Sequence, residues 1–434
     1  MSDHLINLTR SDSAGIPSYC TANPLALEAC MRSALASGRP MLIEATANQV
    51  NQFGGYTGMK PADFRDMIFN MADAIGLPRE LIILGGDHLG PLVWSKEDEA
   101  SAMAKSEELV RAYVEAGFEK IHLDTSMRLG DDDPNAPLSD ETIARRGARL
   151  CKACEEAWLK LRETEPDAPH PAYIIGSEVP IPGGATEKED SISVTSPQAL
   201  KTTYETYKKV FSGCGLENAW PYVIGIVVQP GVEFGDEDFF VYNRDKAAAL
   251  TSCARGLGDI VLEGHSTDYQ PRQALRRMVE DRIAILKVGP ALTFAVREAL
   301  FALSHIEAEL VEAEKRVDLP AVMEALMLAS PANWERHYHG TPEQLKLKRK
   351  YSFSDRCRYY FSTEDFVSAV DKLFENLDRV DIPLSLLHQY MPIEYDAVVL
   401  GNIKKKAKDM LIEHVMNVLR DYEYAAYGLC AAEK

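Results

Sequence analysis

The sequence predicts an α/β fold, a (β/α)8 TIM barrel with a helical C-terminal extension, and three observations lead there. Eight short, Ile- and Val-rich apolar runs recur up to about residue 289. Continuous runs of this kind are typical of parallel strands buried on both faces. Helical segments with readable caps separate them, which is the alternation of a barrel or a doubly wound sheet. No GxGxxG follows the first run, which disfavours the dinucleotide-binding form of the open sheet.

In chain order the runs are IPSYC (16–20), MLIEAT (41–46), LIILGGD (81–87), KIHLDTS (120–126), AYIIGSE (172–178), VIGIVVQ (223–229), DIVLEGH (259–265) and AILKVG (284–289). Asn23-Pro24 reads as the cap and first-turn proline of LALEACMRSALA, with Gly38 as its stop. Ser95 with Asp98 reads as a capping box before a helix ending at Gly117. Ser196-Pro197 opens ALKTTYETYKKVF. From about residue 300 the pattern is helical, in REALFALSHIEAELV, DLPAVMEALMLAS, TEDFVSAVDKLFENL and KKAKDMLIEHVMNVLRDYEYAAYG. We therefore expect a barrel over 1–300 and a helical region over 301–434 that packs over it. The stretch HYHGTPEQLKLKRKYSFSDRCRYYF is basic and aromatic inside an otherwise acidic chain.

The 434 residues include 47 basic and 66 acidic side chains, a net charge of -19. That balance argues against nucleic acid or an anionic membrane as the main partner, and a small anionic substrate would need a local cationic pocket. The opening MSDHLINLTRSDSAG has no signal-peptide core, and no apolar run approaches the roughly 20 residues needed to span a bilayer. The eight cysteines (Cys20, Cys30, Cys151, Cys154, Cys214, Cys253, Cys357, Cys430) are scattered, unlike a secreted disulfide framework. Cys151 and Cys154 form a CxxC within helix-periodic sequence and have no second pair. The expectation is a soluble protein of the reducing cytoplasm.

Active sites of such barrels form at the C-terminal ends of the strands. There the runs present Glu44, Asp87-His88, Asp124-Thr125-Ser126, Glu178, Glu233 beyond Gln229, Glu263-Gly264-His265-Ser266, and Lys287. A ring of ionisable groups is hard to explain as packing, because each buried carboxylate needs a partner to offset its desolvation. His88 and His265 with one carboxylate would make a divalent-metal site with open positions. Zinc suits that donor set, with manganese or cobalt as alternatives. His122 lies inside its run and not at the end, and is expected to be structural.

The motifs GGDHLGP, HLDTSM, GSEVPIPGG, QPGVEFGD, LEGHSTDY, KVGPALTFAVREALF and YSFSDRCRYY together resemble the tagatose-bisphosphate aldolase Z-type subunit family, over essentially the whole chain. The resemblance implies two functions. The family is described as a non-catalytic partner of a class II aldolase, and it contains proteins understood as metal-dependent epimerases that interconvert tagatose 6-phosphate and fructose 6-phosphate. Some members carry a tagatose 6-phosphate kinase label, but no GxxxxGK[ST] loop is present here.

The family is in turn similar to the zinc-dependent class II aldolases. That similarity implies Asp87 as the catalytic acid/base, His88 and His265 as metal ligands, and Glu178 as a second-metal or supporting glutamate. Glu233 in GVEFG stands nearest the middle aldolase histidine, as third ligand. Asp124 and Glu178 would orient hydroxyls or supply a second acid/base. Glu44, Ser126, Ser266 and Lys287 are expected to bind substrate. Gly264-His265-Ser266-Thr267 replaces the aldolases' glycine–serine phosphate loop, so Arg356 and Arg358, with Tyr359, are candidate phosphate ligands. The implied partners are a phosphorylated ketohexose and either a second copy of the chain or a class II aldolase subunit.

Overall fold

Each of the eight apolar runs forms a parallel strand, and together they close a barrel. The computed structural model describes residues 3–9, 11, 13–179 and 192–428. The strands are β1 Ile16–Cys20, β2 Met41–Thr46, β3 Ile82–Leu89, β4 Lys120–Leu123, β5 Ala172–Ile175, β6 Val223–Val228, β7 Val261–Gly264 and β8 Ile283–Val288. Neighbours pair in sequence order and β8 returns to β1, as a (β/α)8 barrel requires. A helix follows every strand: α1 Pro24–Ser37, α2 Pro61–Ile75, α3 Glu99–Glu115, α4 Asp140–Thr164, α5 Pro197–Gly213, α6 Arg244–Arg255, α7 Arg272–Glu280 and α8 Pro290–Leu310.

The caps explain where several helices begin. Asn23 Oδ1 accepts from the Leu25 and Ala26 N–H groups, and Gly38 closes α1 at φ 63°. Ser196 Oγ accepts from the Ala199 N–H at the start of α5. At α3 the expected box is corrected. Asp98 is itself the cap, accepting from the Ser101 N–H at 2.9 Å, while Ser95 ends a separate 3-10 turn, Pro91–Trp94. A proline after Gly90 tightens that turn and moves the helix start three residues on.

A short N-terminal helix, Asp3–Thr9, places Leu5 and Leu8 among Ile16, Leu42, Ile83 and Ile285, at the N-terminal ends of the strands. Burying each leucine contributes roughly 1.5–3 kcal/mol and closes that end of the barrel. Residue 300, the expected end of the barrel, falls inside α8. Six further helices follow: α9 Leu319–Ala329, α10 Pro342–Tyr351, α11 Glu364–Asp378, α12 Leu384–Tyr390, α13 Pro392–Val399 and α14 Ala407–Tyr427. The longest of these, α14, lies along the side of the barrel against α1, α7 and α8. Asp409 pairs with Arg32 at 3.1 Å and Lys408 with Glu28 at 2.7 Å. The part of this region that reaches the mouth comprises a 3-10 turn, Arg356–Tyr360, with Phe361, Ser362 and Val367 after it, the last in the first turn of α11.

Cys151 and Cys154 are buried on α4, and all seven described cysteines are free; Cys430 lies outside the described residues. Among the described residues no helix is long and apolar enough to cross a membrane.

Candidate metal centre and substrate cavity

Alternation along the strands stacks the barrel interior in layers. Leu42, Glu44 and Thr46 succeed one another at every second residue of β2, and Val261, Glu263 and His265 do so along β7. The lowest layer is apolar, with Ile16, Leu42, Ile83, Val261 and Ile285. Above it lies a charged layer that crosses the barrel. Lys120 Nζ is 2.5 Å from Glu44 Oε1 and 2.8 Å from Glu263 Oε2, and Lys287 pairs with the other oxygen of Glu44. All four side chains are essentially inaccessible to solvent. The top layer, where the cavity opens, brings together Asp87, His88, His122 and His265.

The stretch GGDHLG shows how this layer is made. His88 has φ 48° and the pairing of β3 with β4 shifts register between Gly86 and Leu89. A regular strand would send adjacent side chains to opposite faces. The bulge lets Asp87 and His88 both join the inner cluster, at the cost of a left-handed backbone worth on the order of 1–3 kcal/mol. The flanking glycines are required by close approach. A Cβ on Gly85 would sit 2.6 Å from Glu44 Oε1, and one on Gly90 would sit 1.7 Å from the Asp124 carbonyl oxygen.

One donor atom from each of Asp87, His88, His122 and His265 lies within 4.8 Å of the others, so the buried group could hold a metal ion. Three features fit a divalent cation. Each imidazole has a carboxylate on one ring nitrogen: His88 Nδ1 on Asp124 at 2.7 Å, His122 Nδ1 on Asp87 at 2.8 Å, and His265 Nε2 on Glu263 at 2.9 Å. In the neutral tautomer that donates each of those N–H groups, the other ring nitrogen carries a lone pair, the arrangement in which a carboxylate orients a metal-bound histidine. His122 Nε2 is buried with no hydrogen-bond partner. Finally, four buried carboxylates (Glu44, Asp87, Asp124, Glu263) face only two ammonium groups (Lys120, Lys287), so with the imidazoles neutral, as metal ligation requires, two negative charges are left for a dication to balance.

The ionisation pattern follows from the same surplus. Burial works to raise Asp87, but the charges of His88 and Lys287, the latter 2.8 Å away, hold it well below the usual carboxylate range. Asp124 is likewise lowered against its burial, by the hydrogen bond from His88, and Glu263 by Lys120 and His265. Burial pulls His265 down to about 4 despite Glu263, which keeps it neutral and able to ligate. Burial acts downward on His88 as well, but Asp87 and Asp124 outweigh it and raise its pKa.

A cavity of about 420 Å³ opens above this layer. Asp87, His88, His265, Ser266 and Lys287 line it, and so do Arg358 and Tyr359 from the C-terminal turn. The Arg358 guanidinium donates to the Asp355 carbonyl at 3.1 Å, to the Ser354 carbonyl and to the Tyr359 hydroxyl at 3.1 Å. Among the described residues no carboxylate stands at ion-pair distance from it, an arrangement suited to holding an anion.

Other expected residues lie elsewhere. Glu233 is buried in a two-stranded hairpin, Glu233–Phe234 with Phe239–Phe240, where its carboxylate accepts the Phe234 N–H at 3.1 Å. It is not in the donor group, and His122 stands there instead. Glu178 is exposed and accepts from Thr195 Oγ1 at 2.7 Å. Asp124 is hydrogen-bonded to His88 Nδ1, and the Ser126 hydroxyl donates to Asp124 at 2.7 Å. Glu44 lies below the cavity in the charged layer. Arg356 turns to the Asn333 carbonyl, away from the cavity lining. Most of the motif GSEVPIPGG, from Pro180 onward, lies outside the described residues. Reading by motif missed Lys120 and His122. Their signal was the spacing Lys120-x-His122-x-Asp124, which puts three ionisable groups on one face of β4.

A family model for the D-tagatose-1,6-bisphosphate aldolase subunit GatZ/KbaZ-like proteins matches residues 1–427. A crystal structure described as a probable tagatose 6 phosphate kinase from Sinorhizobium meliloti 1021 is 45% identical, covering 95% of this chain and 100% of its own, at a TM-score of 0.86. A putative fructose-1,6-biphosphate aldolase from Coccidioides immitis is 14% identical over 86% of this chain and 96% of its own, with a TM-score of 0.41. The YdjI aldolase from Escherichia coli K12 is 12% identical over 82% and 94%, with a TM-score of 0.40. Superpositions that weak carry no functional information. With a whole-chain family match and a full-length relative of the same fold, the chain belongs to the D-tagatose-1,6-bisphosphate aldolase subunit GatZ/KbaZ-like family.

Proposed function

We propose that the protein is a divalent-metal-dependent ketose 6-phosphate 4-epimerase, interconverting D-tagatose 6-phosphate and D-fructose 6-phosphate by breaking and re-forming the C3–C4 bond. The observation that carries this reading is the convergence of three carboxylate-oriented histidines beside Asp87, in a cavity that also presents the Arg358 guanidinium.

The chemistry explains why such a site is needed. The hydrogen on C4 of a 2-ketose is not α to the carbonyl, so its direct removal leaves a carbanion without an enolate. Retro-aldol cleavage avoids this. His88, His122 and His265 would hold the metal, zinc being favoured by a nitrogen-rich donor set and manganese or cobalt remaining alternatives. A bound dication supplies electrophilic stabilisation of the negative charge that cleavage leaves on the ketone fragment. Asp87, kept ionised by Lys287, removes the C4 hydroxyl proton as the C3–C4 electron pair moves to C3. The aldehyde turns, C3 adds to its other face, and Asp87 returns the proton. Arg358 and Tyr359 hold the phosphate so that the fragment is retained while it turns. Asp124 and Glu263 act as positioning residues through His88 and His265.

The family description also supports a second reading, a non-catalytic subunit of a class II tagatose-bisphosphate aldolase. The purified chain supplied with Zn²⁺, Mn²⁺ or Co²⁺ and tagatose 6-phosphate separates the two. Fructose 6-phosphate that disappears on chelation and in His122→Ala supports the epimerase. Triose accumulation supports an aldolase. No turnover with any metal, together with stabilisation of a partner aldolase, would favour the subunit.

A further inference from the structure

In barrels of this class substrate phosphate commonly binds at the loops after strands seven and eight, against a helix N-terminus whose N–H groups are free. Here those groups are taken. Asp268, from the loop after β7, accepts the Gly289 N–H at 3.0 Å and the Ala291 N–H at 2.8 Å, both through Oδ1. A carboxylate of the chain thus occupies the position of an anion at the start of α8.

The loop is built to hold it there. Ser266 and Tyr269 both adopt left-handed backbone, at φ 53° and 63°, within four residues. Non-glycine residues persist in that region only where the surroundings over-determine them. Between them, the Thr267 hydroxyl donates to the Lys287 carbonyl at 2.7 Å, and the Thr267 carbonyl accepts from the Tyr422 hydroxyl at 2.7 Å. Asp268 is 3% exposed and lines the same cavity as His265 and Arg358. Burial raises its pKa to about 6, so around neutral pH it carries a charge that burial disfavours and the two N–H groups stabilise. Besides Asp87 at the histidine cluster, the cavity therefore presents a second carboxylate, Asp268, and the Arg358 guanidinium, which has no carboxylate at ion-pair distance among the described residues.

We propose that Asp268 is a built-in occupant of the barrel's anion site, so that the cavity accepts ketoses with one phosphate, held by Arg358, and excludes those with a second. This rests on the phosphorylated-ketose reading above. A second phosphate would have to displace the carboxylate from its N–H groups or be buried beside its charge, and both are unfavourable in a site shielded from water.

Calorimetric titration of the metal-loaded wild type, Asp268→Asn and Asp268→Ser tests this, using inorganic phosphate, a ketohexose 6-phosphate and the corresponding 1,6-bisphosphate. The wild type should bind the monophosphate more tightly than the bisphosphate by about tenfold or more. Asp268→Ser frees both N–H groups and removes the charge, and should erase or reverse that preference. Asp268→Asn keeps the acceptor and removes only the charge, and should fall between. Equal wild-type affinity for both esters, or an unchanged ratio in folded Asp268→Ser, overturns the proposal. If Asp268→Ser does not fold, the ratio in Asp268→Asn decides it. Inorganic phosphate separates this idea from the function it rests on. A phosphate site gained in Asp268→Ser/Arg358→Gln supports the occupied anion site even if the wild type binds no sugar phosphate, and no gain there overturns it.

Discussion

The two walls of the cavity are made by opposite means. Its floor consists of side chains at the ends of barrel strands, fixed by a closed hydrogen-bonded sheet and by ion pairs that cross the interior. Its other wall includes a five-residue 3-10 turn, Arg356–Tyr360, brought in from the C-terminal region together with Phe361, Ser362 and Val367. The floor holds an excess of negative charge and three imidazoles, whereas the turn offers a guanidinium bonded, among the described residues, to neutral oxygens. The difference implies a division of labour. The rigid, anionic floor suits a metal ion and bond cleavage, and the turn suits retention of the anionic end of a substrate.

The strongest test of that division is on the floor. His122→Ala should lose stoichiometric zinc, measured by elemental analysis, and lower turnover by roughly a thousandfold, because a bound metal supplies several kcal/mol to such a reaction. Retention of full metal and activity would place the centre elsewhere. Lys120→Met tests the layer beneath. It leaves Glu44 and Glu263 facing one another with less compensation, and should cost about 3–5 kcal/mol in denaturant unfolding. An effect within error would mean that the crossing ion pairs add nothing to the floor.

The turn should respond in binding and not in chemistry. Arg358→Gln is expected to raise KM for a ketose 6-phosphate by about ten- to a hundredfold with a smaller change in kcat, the loss of a charge-assisted contact. A kcat loss at unchanged KM would move Arg358 into the chemical step.

The attachment of the C-terminal region can be tested by pH. Burial works to lower the pKa of His414 on α14, but Glu298 on α8 and Glu394 on α13 raise it to about 9. A raised histidine stabilises fully below its unfolded value of 6.5, and that stability is lost as pH rises through 9. Tm should therefore fall across this window by the equivalent of on the order of 2 kcal/mol, and His414→Gln should flatten that part of the profile. The smallest effect is expected from Glu178→Gln. Its carboxylate is exposed and bonded to Thr195, so kcat/KM should stay within about threefold of wild type. A large loss would bring the loop after β5 into the site.

Strand order, most helix caps and the polar strand ends were legible because they are local. Asn23-Pro24 caps α1 whatever surrounds it, and an Ile/Val run bounded by glycine forms a strand wherever it is buried. His88 and His265 were legible for the same reason, each standing at a strand end beside glycine. Other features were not local. His122 sits one residue short of the end of β4 and reads as core until the barrel closes and places it 2.8 Å from Asp87 on the neighbouring strand. Glu233 follows a strand end in sequence, yet its hairpin turns the carboxylate back on its own backbone. Arg356 and Arg358 are two residues apart and chemically alike, but one turns to Asn333 and the other faces the cavity.

The sequence by itself therefore determined the elements and the kinds of group the barrel mouth would contain, because periodicity, capping and backbone preference act over a few residues. Only the tertiary structure decided which of those groups meet. Strand register, the bulge at His88 and the route of a distant turn set distances between residues far apart in the chain, and charge balance in a buried site depends on those distances.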